Sequence, residues 1–192
     1  MREESKMQGT RTWLLTSTTY GTWLPGDPRG FVGAVWESRS EDDADVNRHT
    51  HKHLGTEYDQ QIPGLHKASR ERMKGHPVYL SLDQAEAVLA QFRETAEYRE
   101  YCLQVASVMN NHFHIVVEAD ANILTDAILR DFKSYSSRIL NQRWPKETKT
   151  WWTRSGSRRD VSKPDACERS MEYVWNQFGW LARWRRDQAT TG

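Results

Sequence analysis

What this chain lacks narrows it first. It has only two cysteines, Cys102 and Cys167, in 192 residues. They sit at no metal-binding spacing and cannot build a disulfide framework. No apolar run approaches the ~20 residues that cross a bilayer. The mean hydropathy of −0.85 is that of a water-soluble chain. The start, MREESKMQGTRTW, has no apolar stretch before Trp13, so no secretory signal is read there. Cytoplasmic residence without a membrane partner is the expectation. An excess of one charge is missing too. Lys and Arg number 27 against 26 Asp and Glu, so the whole chain does not announce a polyanionic partner.

The distribution of residues says more. Arg154, Arg158, Arg159 and Lys163 cluster, as do Arg183, Arg185 and Arg186, and tryptophan is abundant. Aromatics beside arginines suit stacking on unpaired bases. From composition alone, a tryptophan core with a solvated arginine rim is the favoured reading.

Arg11 to Thr19, rich in Trp, Leu and Thr, reads as a strand. The following Tyr20 to Gly30 carries three glycines and two prolines and reads as an ordered loop. Residues 37–76 are polar without a sustained period, a long loop insertion. Within it His49, His51 and His53 lack a Cys or carboxylate at ligand spacing and read as solvated. Val78 to Leu82 reads as a short strand. A helix capped by Ser81 or Asp83 then runs to Arg99, with Ala85, Val88, Leu89, Phe92 and Ala96 on one face. Tyr101 to Val108 and His112 to Glu118 read as antiparallel strands joined through Met109-Asn110-Asn111. Further helices are expected from Ile123 to Gln142 and from Lys163-Pro164-Asp165 to Gly179. Thr150 to Val161 between them reads as a strand or hairpin, and Trp180 to Gln188 as a last helical stretch. The sum is an α+β fold, an antiparallel sheet with helices on one face, ferredoxin-like in its simplest version. Its domain spans 11–179, followed by a basic tail at 180–192.

His112 and His114 flank Phe113 on a strand, so both imidazoles project to one side. Two imidazoles on a stiff element are half of a metal site, and a third ligand is needed. Two tyrosines on helices add chemistry. Four residues after Tyr135 stands the apolar Ile139, which puts Tyr135 in a core stripe. Four residues after Tyr173 stands Gln177, whose amide oxygen can bind a hard divalent ion. Two nitrogens and an amide oxygen suit Mg²⁺ or Mn²⁺.

The His-Phe-His strand after Met109-Asn110-Asn111, together with Tyr173-x-x-x-Gln177, resembles the single-tyrosine HUH transposases. That family includes the transposases of simple insertion sequences and the REP-associated tyrosine transposases. Thr-Tyr-Gly-Thr-Trp-Leu-Pro-Gly-Asp from Thr19, and Trp-Trp-Thr-Arg-Ser-Gly-Ser from Trp151, are similar to a subgroup of it. Asn110 departs from the usual proline. The resemblance implies cutting and rejoining of single-stranded DNA beside hairpin or palindromic ends, commonly by a homodimer. Tyr173 would be the nucleophile, with Tyr135 the alternative, and His112, His114 and Gln177 the metal ligands. Arg154, Arg158 and Arg159 are candidates to hold the DNA backbone, and Trp23, Trp151 and Trp152 to stack bases. A hairpin-binding regulator that does not cleave, and a nuclease using metal-activated water, are the competing readings. The nucleophile reading requires the last helix, of the same subunit or of a partner, to lie across the sheet face that the histidines line.

Overall fold

The computed structural model describes residues 9–29, 61–145 and 150–188. His49, His51 and His53 lie outside these residues. The chain divides into two compact units, Trp23–Lys74 and the remainder.

The larger unit is an antiparallel sheet built from β1 (Thr10–Thr18), β2 (Cys102–Met109), β3 (His112–Asp120), β4 (Ser157–Asp160) and β5 (Trp180–Arg185). Their spatial order is β4-β1-β3-β2-β5. The smaller unit contains α1 (Pro63–Glu71). The larger one adds α2 (Leu82–Tyr98), α3 (Thr125–Arg143) and α4 (Pro164–Trp175). The first four strands with α2 and α3 follow a β-α-β-β-α-β order, and β5 extends the sheet at the β2 edge.

Strand alternation sorts the sheet into two faces. Phe113, Ile115 and Val117 of β3 bury against Val88 and Phe92 of α2 and Ile128 and Phe132 of α3. The Phe92 ring meets Phe113 and Phe132 edge-on at 4.8 and 5.3 Å. Ser81 caps α2 in a reciprocal capping box with Gln84, so its first turn starts one residue after the cap. On the opposite face Leu14, Val105, Val116 and Val161 meet Val174, Cys167 and Met171 of α4. The helices therefore do not all share one face. α4 begins at Pro164, where a missing N–H costs nothing, and its stripe Cys167, Met171, Val174 has only this second face to bury against.

Four local expectations are corrected. Trp180–Arg185 is a strand, because the free edge of β2 supplies backbone partners that no periodicity in the tail announces. Arg183 and Arg185 are held back onto α4 through the Trp175 carbonyl and the Glu172 carboxylate, so a basic tail does not begin at 180. Val78–Leu82 forms no strand. The Val78 amide donates to Tyr20 and that of Leu80 to Asn110, two different segments, so no ladder forms. Within the expected loop 37–76, Pro63–Glu71 is helical, with Pro63 in its first turn and no buried residue. Among the described residues no helix is long and apolar enough to cross a membrane.

Candidate active site

The turn between β2 and β3 delivers His112 to the end of the sheet. It is braced by the first sequence motif. The Asn111 carbonyl accepts from the Thr19 amide at 2.8 Å, and the Thr19 and Thr22 hydroxyls lie 3.0 and 3.2 Å from it. The backbone entering His112 is thereby held before its side chain is considered.

The two imidazoles stand on the α4 side of β3, centroids 4.9 Å apart. Each has Nδ1 engaged. His112 Nδ1 lies 2.6 Å from Asn111 Oδ1, an atom that can only accept, so Nδ1 carries the proton and Nε2 the lone pair. His114 Nδ1 lies 2.6 Å from Thr16 Oγ1, the residue opposite it on β1. That hydroxyl can donate or accept, so the contact fixes the orientation of the ring, with Nδ1 toward β1. His114 is 7% exposed. Burial first, then the nearby His112 and Arg159, pulls its imidazole down to about 3. It is neutral near pH 7, the form that binds a metal.

α4 carries Tyr173 over this pair. The phenol ring meets the His114 ring edge-on, centroids 5.3 Å apart, while about half of Tyr173 stays exposed. Its height is set from the sheet, where Ser107 Oγ donates to the Val174 carbonyl at 2.7 Å. Gln177 lies one turn on, and its Nε2 donates to the Tyr173 carbonyl at 2.9 Å. Tyr135 is elsewhere: its ring packs on Tyr98 at 6.1 Å, between α2 and α3 behind the sheet.

The arginines separate by strand alternation. Arg159 pairs with Leu14, so it shares the histidine face, and its Nε is buried without a hydrogen-bond partner. Arg158 pairs with Leu15, faces the α3 side, and makes an ion pair with Asp126. Arg154 lies in the segment 153–155, whose three carbonyls accept from Lys133 Nζ. Two of the three candidate tryptophans are buried. Trp151 and Trp152 are 7% and 2% exposed; their indoles donate to Asn141 and Ser136 and are core, unable to stack on a base. Trp23, in the smaller unit, lies under the Arg29 guanidinium at 4.8 Å.

Among the described residues no group of three His, Cys, Asp or Glu could hold a metal. The histidine pair fits two nitrogen positions, and among the described residues a third donor would be of another kind, such as the Gln177 amide. Thr16 and Asn111 were missed by sequence reasoning. Asn111 adjoins its histidine, whereas nothing local marks Thr16, which strand register alone brings to His114.

Among solved structures, a REP-associated tyrosine transposase bound to a REP hairpin is similar over 86% of this chain, with 9% identity and a TM-score of 0.47. The chain spans 64% of that protein's length. A protein of Deinococcus radiodurans R1 bearing a provisional transposase assignment is similar over 92% of this chain and 98% of its own, with 13% identity and a TM-score of 0.44. No curated protein matches. The family of transposases described as IS200 like matches residues 73–177, more than half of the chain and the whole stretch from the histidine strand to Gln177. The chain belongs to the IS200-like transposase family.

Proposed function

We propose that this transposase cuts and rejoins single-stranded DNA through a 5′-phosphotyrosine on Tyr173. The observation that carries the reading is the Tyr173 ring against His114, with His112 beside it on the same face. The Tyr173 hydroxyl attacks the scissile phosphorus, the 3′-oxygen leaves, and the 5′-phosphate stays on the tyrosine. A free 3′-hydroxyl can later reverse the exchange, since one ester replaces another. A phenol of ordinary pKa ~10 is a weak nucleophile near neutrality and needs its proton removed or its target polarised.

His112 and His114, through Nε2, and Gln177, through its amide oxygen, would hold a divalent ion such as Mg²⁺ or Mn²⁺. Bound there, the ion would polarise the phosphate and offset charge in the displacement. Asn111 holds the Nδ1 proton of His112, Thr16 orients the His114 ring, and burial keeps His114 uncharged. Arg159, on the same face as the histidines, is the candidate arginine to meet a phosphate oxygen. Hairpin or palindromic ends are the proposed DNA partners, and a homodimer the proposed assembly.

The test is direct. The full chain is incubated with hairpin-bearing single strands and Mn²⁺ and resolved in a denaturing gel. A covalent adduct is expected. Tight binding with no adduct on any such strand would leave a binding protein. Free 5′-phosphate products that persist in Tyr173→Phe would leave a hydrolase using water.

A further inference from the structure

Trp151 and Trp152, read as base-stacking platforms, lie in the core and cannot stack on a base. The turn joining α4 to β5, Asn176-Gln177-Phe178-Gly179-Trp180, has no aliphatic side chain. Phe178 is fully exposed, and Trp180 is 43% exposed. Gly179 has a φ of +74°, a left-handed conformation that lets the chain reverse between helix and strand at little cost. The turn sits beside the site. Phe178 follows Gln177 directly, and Trp180 pairs with Met109, two residues before Asn111.

A cation is built into the same turn. The Arg183 guanidinium lies 3.9 Å from the Trp175 ring centre and 4.3 Å from that of Trp180, and donates to the Trp175 carbonyl at 3.0 Å. It is fixed as a flat positive layer between two indoles. Exposed rings next to a fixed positive charge match a nucleic-acid strand, whose bases offer π-faces and whose backbone offers negative charge.

We propose that Phe178 and Trp180 form a stacking platform for unpaired nucleobases of the DNA strand beside Tyr173. The proposal rests on the reading of the Tyr173 site given above. It assigns the platform to the strand flanking the cleaved phosphate and not to the hairpin duplex, whose bases are already stacked.

The test is binding of the full chain, in EDTA so that no cleavage occurs, to fluorescein-labelled single strands carrying one abasic position at a time. Wild type should lose affinity at one or two positions. Phe178→Ala should weaken binding of the intact strand about 5-fold or more, and Phe178→Ala with Trp180→Ala further. The variants should no longer respond to those abasic positions. Phe178→Tyr, which keeps a ring, should behave as wild type. Phe178 touches nothing whose loss would unfold the chain, so its variant remains informative if Trp180→Ala fails to fold. Unchanged affinity in Phe178→Ala, or an abasic profile the same as wild type, overturns the proposal. So does a variant that alters only the sedimentation coefficient, which would make the turn a contact between copies. Absence of a Tyr173 adduct in the gel assay sinks the site reading separately, because this binding measurement needs no cleavage.

Discussion

Tyr173 and His114 meet edge-on, ring centroids 5.3 Å apart, although they come from α4 and β3. Val174, the neighbour of Tyr173, fills the apolar patch formed by Leu14, Val105 and Val116, and this packing holds the phenol over the imidazole.

That contact distinguishes the two tyrosines. Tyr173→Phe is expected to abolish the covalent adduct, a loss of at least about 10³-fold, while strand binding stays within a few-fold. Tyr135→Phe should form adduct at the wild-type rate, since it keeps the ring that packs on Tyr98. A dead Tyr135→Phe with an active Tyr173→Phe would reverse the assignment.

Thr16 should act through His114. Thr16→Val removes the group 2.6 Å from Nδ1 and frees the ring to turn. Mn²⁺ affinity by titration calorimetry should fall about 10- to 100-fold, with Thr16→Ser restoring most of it. Equal affinity in Thr16→Val would mean that packing alone orients the ring.

Gly156 tests the same support from the other side. A Cβ there would lie 2.5 Å from the Thr16 carbonyl and 2.8 Å from Leu129 Cδ2, and the first of these is backbone. Gly156→Ala should cost about 1–3 kcal/mol in chemical denaturation. By displacing Thr16 it should also weaken Mn²⁺ binding. Wild-type stability would show that β1 yields without strain.

Lys133 gives a pH dependence. Burial pulls its ammonium down from 10.5 to about 8. Between those values the unfolded chain holds more protons than the folded one, so the contribution to stability rises with pH and is least below 8. The melting temperature of wild type should therefore rise from pH 8 to 10 relative to Lys133→Met, which cannot titrate. A flat difference would show that the three carbonyls of 153–155 hold the ammonium charged against its burial.

Much of this was legible locally. The helix from Ser81 shows in its cap and its apolar period, and the β2–β3 hairpin shows in two apolar runs around Asn110-Asn111. Strand alternation alone puts His112 and His114 on one side. What misled was context. Trp151 and Trp152 read as platforms because sequence does not reveal burial. Trp180–Arg185 read as helix because a strand on a sheet edge is stabilised by its neighbour and not by its own period.

The sequence by itself determined the chemistry on offer: two imidazoles on one face, and a phenol with an amide one helical turn away. Those follow from the fixed periods of strand and helix, which need no partner. Only the tertiary structure decided that the phenol and the imidazoles face each other, and that Thr16 and Arg159 join them. Those facts depend on which strands pair, in which register, and on which sheet face α4 buries its stripe. They are set by matching surfaces far apart in the chain, which no local pattern contains.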